Sequence, residues 1–139
     1  MTITEKNMDL FDVSEEYVLA HCINASYVLG RGIAAQFEEK YNMSEKLRQE
    51  HPIRAVGMAL KIDNVYNLVT KERHYNKPKR MDLQMALNDM KWQMKYNNEK
   101  LLAMPRIGCG LDRLHWEDVK PMIERTFNDT GIDILICVK

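Results

Sequence analysis

A lysine and an aspartate that each follow an apolar run are the residues of this sequence best suited to catalysis. Lys71 directly follows one run, and Asp112 follows the turn Gly108-Cys109-Gly110 at the end of another. An amine and a carboxylate in one cleft can act as nucleophile and proton carrier at a sugar carbon. A structural interpretation stays open for both, because a lysine commonly ends a strand in water and Asp112 could pair with Arg106 or Arg113.

Two glycine-containing turns indicate where an anionic ligand could bind. Gly30-Arg31-Gly32 follows a strand predicted at 17–23, and Gly108-Cys109-Gly110 follows a strand predicted at 101–107. Glycine has no Cβ, so the main chain of such turns can approach a phosphate closely. If the two strands are parallel neighbours, both turns lie at one edge of the sheet and can hold a diphosphate between them. An ordinary strand-to-helix connection is the alternative, and the spacing matches neither dinucleotide-binding nor P-loop motifs.

Alternating strands and helices predict a single α/β domain that spans residues 1–139. Apolar periodicity predicts helices at 33–41, 43–50, 81–96 and 116–128. Short apolar runs predict strands at 17–23, 56–62, 65–70, 101–107 and 132–138. Because the strands are apolar on both faces, we expect helices on both sides of a mixed sheet, which is a three-layer α/β/α sandwich.

The composition argues against several classes of function. The 139 residues carry a formal net charge of zero, so a broad basic surface for nucleic acid is not expected. Three cysteines without a CxxC pair, and histidines without zinc spacing, predict neither a disulfide framework nor a metal site. Since neither a secretion signal nor a spanning segment is visible, we expect a cytoplasmic protein (or a nuclear one in a eukaryote) with no membrane contact. We also expect a monomer that needs no cofactor. The basic stretch 71–80 is either a solvated loop or a local phosphate-attracting patch.

Five segments of the sequence occur in the order and spacing of one protein family. They are residues 8–11, 19–23, 29–34, 68–71 and 104–116. The last segment is the most specific, with Pro105-Arg106-Ile107-Gly108-Cys109-Gly110-Leu111-Asp112-Arg113-Leu114 followed by Trp116. Together the segments resemble a macrodomain, closest to the terminal ADP-ribose protein glycohydrolase type. The resemblance implies an ADP-ribose pocket on a six-stranded mixed sheet, with no metal.

The resemblance also implies roles for individual residues. Lys71 falls at the nucleophile that attacks the anomeric carbon of the distal ribose, and Asp112 falls at the carboxylate that assists proton transfer. Asp9 falls where the adenine amino group is held, and Leu10 where the base is lined. The other residues assigned to the ligand-binding site are His21, Gly30, Gly32, Ile33, Thr70, Gly108, Cys109, Gly110 and Leu111.

The implied function is hydrolysis that removes ADP-ribose from a modified acceptor, either a protein carboxylate ester or a nucleic-acid base. Two alternatives remain: a module that binds ADP-ribose without turnover, and a hydrolase of a small derivative such as a phosphate or acetyl ester. The pair Lys71 and Asp112 favours catalysis, because a binding module needs neither. Residues 24–28 are the least family-like part, and Asn24 stands where a hydroxyl residue is expected.

Overall fold

The computed structural model describes residues 1–109 and 114–139, which form one sheet between helical layers. The strands are β1 (Thr2–Asn7), β2 (Val18–Asn24), β3 (Ala59–Ile62), β4 (Val65–Lys71), β5 (Leu101–Met104) and β6 (Asp133–Val138). The helices are α1 (Gly32–Tyr41), α2 (Met43–Glu50), α3 (Arg80–Tyr96) and α4 (Trp116–Phe127), with a 3-10 turn at Leu10–Asp12. Among the described residues, no helix has the length and apolar character needed to span a bilayer.

The strand order β1-β6-β5-β2-β4-β3 confirms the predicted mixed sheet. β3 runs antiparallel to β4, and all other neighbouring strands are parallel. β2 and β5 are parallel neighbours, with Val18 opposite Leu102 and Leu19 opposite Ala103. The chain segments that follow these two strands therefore leave the sheet at the same edge, as the two glycine turns require.

Two apolar cores lie on opposite faces of the sheet, which confirms the three-layer prediction. One core contains the buried face of α3 and α4 and takes Val18 and Ala20 from β2. The other contains Phe37 of α1 together with residues of α2, and it takes Leu19 and Ile23 from β2. α1, which follows β2, packs in one core and α4, which follows β5, packs in the other, so the two helices cover opposite faces. The gap between the carboxyl ends of β2 and β5 is the kind of switch point where open α/β sheets bind ligands.

The structure differs from the predicted elements in three places. The strand expected at 101–107 ends at Met104, because Pro105 has no N–H to continue the ladder. The strand expected at 56–62 begins at Ala59, after Gly57 with φ of 96°. β1 was not predicted from periodicity, since its residues are mostly polar, yet it pairs along its whole length with β6.

Candidate functional site

A cavity of about 990 Å³ opens at the carboxyl edge of β2, β4 and β5. Its walls come from the ends of these strands, from the start of α1 and from the loops that follow β2, β4 and β5. The lining consists of residues 22–24, 28–34, 71, 74–77 and 105–108. The predicted site residues Gly30, Gly32, Ile33, Lys71 and Gly108 are therefore brought together around one space, although 78 positions separate the first from the last.

The first wall is the N-terminal end of α1. Gly32 begins the helix with φ of 57°, and no side chain among the described residues caps it. The first N–H groups of a helix have no partner within the helix, and the helix dipole makes this end positive. Gly30 lies just before it, where an added Cβ would meet no atom within 4 Å. This wall can therefore accept an anion against the main chain.

The second wall is the turn at Gly108, which glycine alone fits. Its φ is 75°, and an added Cβ would lie 3.0 Å from Cδ1 of Leu114 and 3.5 Å from Cδ2 of Leu83. The N–H of Leu114 donates to the carbonyl of Gly108 at 2.7 Å, which closes the turn. Cys109 follows, with its Sγ 3.3 Å from the carbonyl of Ile107. The predicted ligand residues Gly110 and Leu111 lie outside the described residues.

Lys71 is the last residue of β4, and its half-buried side chain lines the cavity. Its carbonyl accepts the N–H of Ala25 at 2.8 Å, so its backbone is tied to the segment after β2. The predicted catalytic partner Asp112 lies outside the described residues. The structure thus gives the position of the candidate nucleophile and leaves the role of Asp112 as a prediction.

Arg106, one of two arginines that could pair with Asp112, is bound to a different carboxylate. Its Nε and Nη2 donate to Oε1 of Glu5 at 3.2 and 2.9 Å, while Nζ of Lys120 donates to Oε2 at 2.9 Å. Hydrogen bonds from Lys120 and Arg106 hold the pKa of Glu5 below its ordinary value. The other candidate, Arg113, lies outside the described residues.

Asn24 has a role that the sequence analysis missed, because it shapes the loop after β2. Its side chain is 4% exposed. Its Oδ1 accepts from N–H of Ser26 at 3.1 Å and of Val28 at 3.2 Å, and its Nδ2 donates to the carbonyl of Val28 at 2.8 Å. Such an Asx turn is a local property of asparagine. The residue pattern alone does not distinguish it from an ordinary surface turn.

Tyr27 anchors the same loop to α2. It adopts φ of 59°, and its hydroxyl donates to the carbonyl of His51 at 2.8 Å. The guanidinium of Arg54 lies 4.0 Å from the centre of its ring. The ring is 1% exposed, so the loop is fastened to the core beside the cavity.

His21 lies in the core between β2 and α1 rather than in the cavity lining. It is fully buried, its ring stacks on Phe37 at 4.0 Å, and its Nε2 lies 2.6 Å from Oδ1 of Asn67. Nδ2 of Asn67 donates to the carbonyl of Leu60 at 3.0 Å, so Oδ1 is the acceptor and His21 donates to it. Burial lowers the pKa of His21 to about 4, which makes it neutral near pH 7.

Besides His21, four predicted ligand residues among those described lie outside the cavity lining, and their roles stay predictions: Asp9, Leu10, Thr70 and Cys109. Thr70 is 1% exposed, and its Oγ1 has no partner in the part of the chain that is described. Asp9 accepts from Nζ of Lys139 at 2.8 Å and from the N–H of Phe11 at 2.9 Å, and both bonds lower its pKa. Leu10 is buried in the core on the α1 side.

Comparison with known proteins gives the following relatives. The chain is 40% identical over 136 residues to human "ADP-ribose glycohydrolase OARD1", covering 96% of this chain and 90% of that protein. The bovine protein of the same name is 38% identical over the same coverage. A "DNA ADP-ribosyl glycohydrolase" of Thermus aquaticus is 25% identical and is matched over 36% of its length. No protein-family model matches the chain.

Solved structures show the same fold. The macrodomain of Mycobacterium tuberculosis DarG superposes with a TM-score of 0.85 at 24% identity, covering 99% of this chain and 97% of that one. Thermosipho africanus DarTG in complex with ADP-ribose superposes with a TM-score of 0.80 at 18% identity, covering 99% of this chain and 42% of that one. The predicted macrodomain fold is thereby confirmed.

Proposed function

The chain belongs to the family of macrodomain ADP-ribose glycohydrolases that includes human OARD1, and we propose that it removes ADP-ribose from a modified acceptor. The observation that carries this proposal is the position of Lys71, at the wall of a cavity whose other walls suit a diphosphate. A strand-end lysine in water would do no chemistry, whereas an amine beside a bound sugar can attack it.

The diphosphate would lie between the start of α1 and the turn at Gly108. Gly32 and Ile33 belong to the uncapped first turn of α1, where free N–H groups and the helix dipole favour an anion. Gly30 leaves space for the ligand on the same side. We propose that Asp9 holds the adenine and that the distal ribose lies near Lys71, so the ligand would run along the carboxyl edge of the sheet.

The proposed reaction has two steps. In the first, the unprotonated amine of Lys71 forms a bond to the anomeric carbon while the bond from that carbon to the acceptor breaks. Asp112 assists by carrying a proton, which leaves with the acceptor. In the second, water replaces the lysine nitrogen at the same carbon, so free ADP-ribose and the unmodified enzyme are regenerated. Each step uses groups of this chain and water only.

The test compares two substrates and three lysine variants. ADP-ribosylated protein with carboxylate-ester links and ADP-ribosylated DNA are incubated side by side, and free ADP-ribose is measured. We expect Lys71→Ala to lose turnover and to keep much of the ADP-ribose affinity. Lys71→Arg should also fail, because a guanidinium stays protonated and is a poor nucleophile. Lys6→Ala is the matched control, since Lys6 is an exposed lysine outside the cavity lining.

Each outcome has a defined meaning. Undiminished turnover by Lys71→Ala would refute the nucleophilic role. A wild-type chain that binds ADP-ribose but releases none from either substrate would be a binding module, unless it cleaves a phosphate or acetyl ester of ADP-ribose. Release from one of the two substrates alone would identify the acceptor. Mass spectrometry of an Asp112 variant stalled with substrate should find a sugar adduct on Lys71.

A further inference from the structure

The end of β4 is tied to the chain that follows β2. On the β3 side, the last backbone bonds reach Val69, which donates to the carbonyl of Met58 at 2.9 Å and accepts from the N–H of Gly57 at 2.7 Å. On the β2 side, pairing continues beyond Val69, because the register shifts and Asn24 stands opposite Lys71. The chain that follows β2 therefore runs beside the backbone of Lys71.

That chain makes two further bonds to the same place. The N–H of Ala25 donates to the carbonyl of Lys71 at 2.8 Å. The hydroxyl of Ser26 donates to the carbonyl of Glu72 at 2.9 Å. Residues 72–77 are exposed, so these bonds lie where the buried strand β4 ends and the exposed loop begins. Residues 24–26 thus hold the backbone of Lys71, the candidate nucleophile, and of Glu72.

The side chain of Asn24 holds these three residues in a fixed turn. Its oxygen accepts two N–H groups and its nitrogen donates to the carbonyl of Val28, and the side chain is almost fully buried. Removing it would leave buried polar groups without partners, so the turn would have to rearrange. Val28 lines the cavity, and so the side chain of Asn24 links the turn beside Lys71 to the cavity wall that leads into α1.

We infer that Asn24 is a positioning residue, which sets Lys71 at the correct distance from the anion-binding wall. This inference rests on the proposed function of Lys71. Asn24 acts through the backbone of the turn, because its side-chain oxygen is already shared by two N–H groups. Misplacing a reacting group by about 1 Å can cost about 10²-fold in rate.

The principal variant is Asn24→Ala, which removes all three side-chain bonds. We expect kcat to fall about 10²-fold, while the Kd for ADP-ribose rises by a smaller factor. Asn24→Asp keeps an oxygen that can accept from Ser26 and Val28, so it should recover part of the rate. Asn64→Ala is the control, because Asn64 is a half-buried asparagine outside the cavity lining that accepts one bond from Tyr41 at 3.2 Å.

A second measurement does not depend on turnover. The N–H groups that donate in and from this turn belong to Ala25, Ser26 and Val28. Amide hydrogen exchange in peptides that cover residues 25–28 should therefore accelerate in Asn24→Ala, while peptides from β6 should be unchanged. If Asn24→Ala fails to fold by circular dichroism, Ser26→Ala replaces it, since this variant removes the bond to Glu72 and keeps the Asx turn. It should accelerate exchange at the N–H of Ala25, which donates to Lys71, and cause a smaller loss of kcat.

The outcomes separate this inference from the proposed function. If the wild type is active and the folded Asn24→Ala variant shows unchanged kcat and unchanged exchange, the positioning role alone is overturned. Absence of wild-type turnover would refute the proposed function, and the exchange measurement would then still decide whether the turn holds Lys71. Equal losses in Asn24→Ala and Asn24→Asp would also count against the inference, because the shared oxygen would then not matter.

Discussion

Lowering the pH is expected to destabilise the protein through His21. In the folded state its ring stacks on Phe37, and its Nε2–H donates to Asn67. Its Nδ1 is buried without a partner among the described residues. Charging the ring would place a proton on Nδ1, where the residues described offer no acceptor and water is excluded. Burial therefore lowers the pKa of His21 to about 4.

The size and pH range of the effect follow from this pKa. In the unfolded chain, histidine has a pKa of about 6.5, so the unfolded state binds the proton more strongly. The contribution of His21 to the free energy of unfolding is fully present above about pH 6.5. It is lost as the pH falls towards about 4, by about 3 kcal/mol in all. The lowered pKa of Glu5 and of Asp9 also reduces acid stability, but only below their ordinary values of 4.5 and 3.8. The range between 6.5 and 4.5 therefore reports on His21.

The assay is urea unfolding at several pH values for the wild type, His21→Gln and His74→Gln. Glutamine at position 21 keeps an amide donor near Asn67 but cannot become charged. The wild type and the exposed-histidine control His74→Gln should lose about 2.5 kcal/mol between about pH 7.5 and 4.5. His21→Gln should be less stable at neutral pH and nearly independent of pH in this range. Equal pH slopes in all three proteins would refute this account of His21.

Three further outcomes are expected. Gly30→Glu should leave the melting temperature unchanged, since an added Cβ meets nothing within 4 Å, but its charge should weaken ADP-ribose binding at least about tenfold in calorimetry. Wild-type affinity would contradict the binding wall. Asp112→Ala should keep the native circular dichroism spectrum and slow release by about 10²- to 10⁴-fold, and full activity on an ester-linked substrate would remove Asp112 from the mechanism. Turnover should survive chelation by EDTA, and a loss restored by a divalent ion would disprove metal independence.

The sequence predicts helices and strands best where burial decides them. β2 and β6 are apolar on both faces because helices cover both sides of the sheet, so their runs of apolar residues are unmistakable. β1 escaped prediction for the opposite reason. It is an edge strand with exposed polar side chains, and in the described part of the chain it pairs with β6 alone, about 130 positions away in the sequence. Nothing local in residues 2–7 records that pairing.

The site divides in a similar way. Lys71 and the glycine turns could be placed at one edge of the sheet, because strands that run parallel end at the same edge. The surroundings of His21 and Asn24 could not be predicted from the sequence, since they depend on the residues that long-range strand pairing brings beside them. Asn67 on β4 is the register partner of His21 on the neighbouring strand β2. Lys71 pairs with Asn24 on the same two strands after a shift in register. A register shift of this kind leaves no mark in a single sequence.

The glycines show why a motif alone was weak evidence for a ligand. Gly32 and Gly108 have φ of 57° and 75°, so their backbone conformation accounts for glycine whether or not a ligand binds. Gly30 differs, because it lies outside the left-handed region and an added Cβ would enter open space beside the cavity. Neither backbone strain nor packing within the described residues accounts for glycine at this position. A requirement for space is what a bound diphosphate would impose there, and for this reason a substitution at Gly30 tests the ligand more directly than one at Gly32 or Gly108.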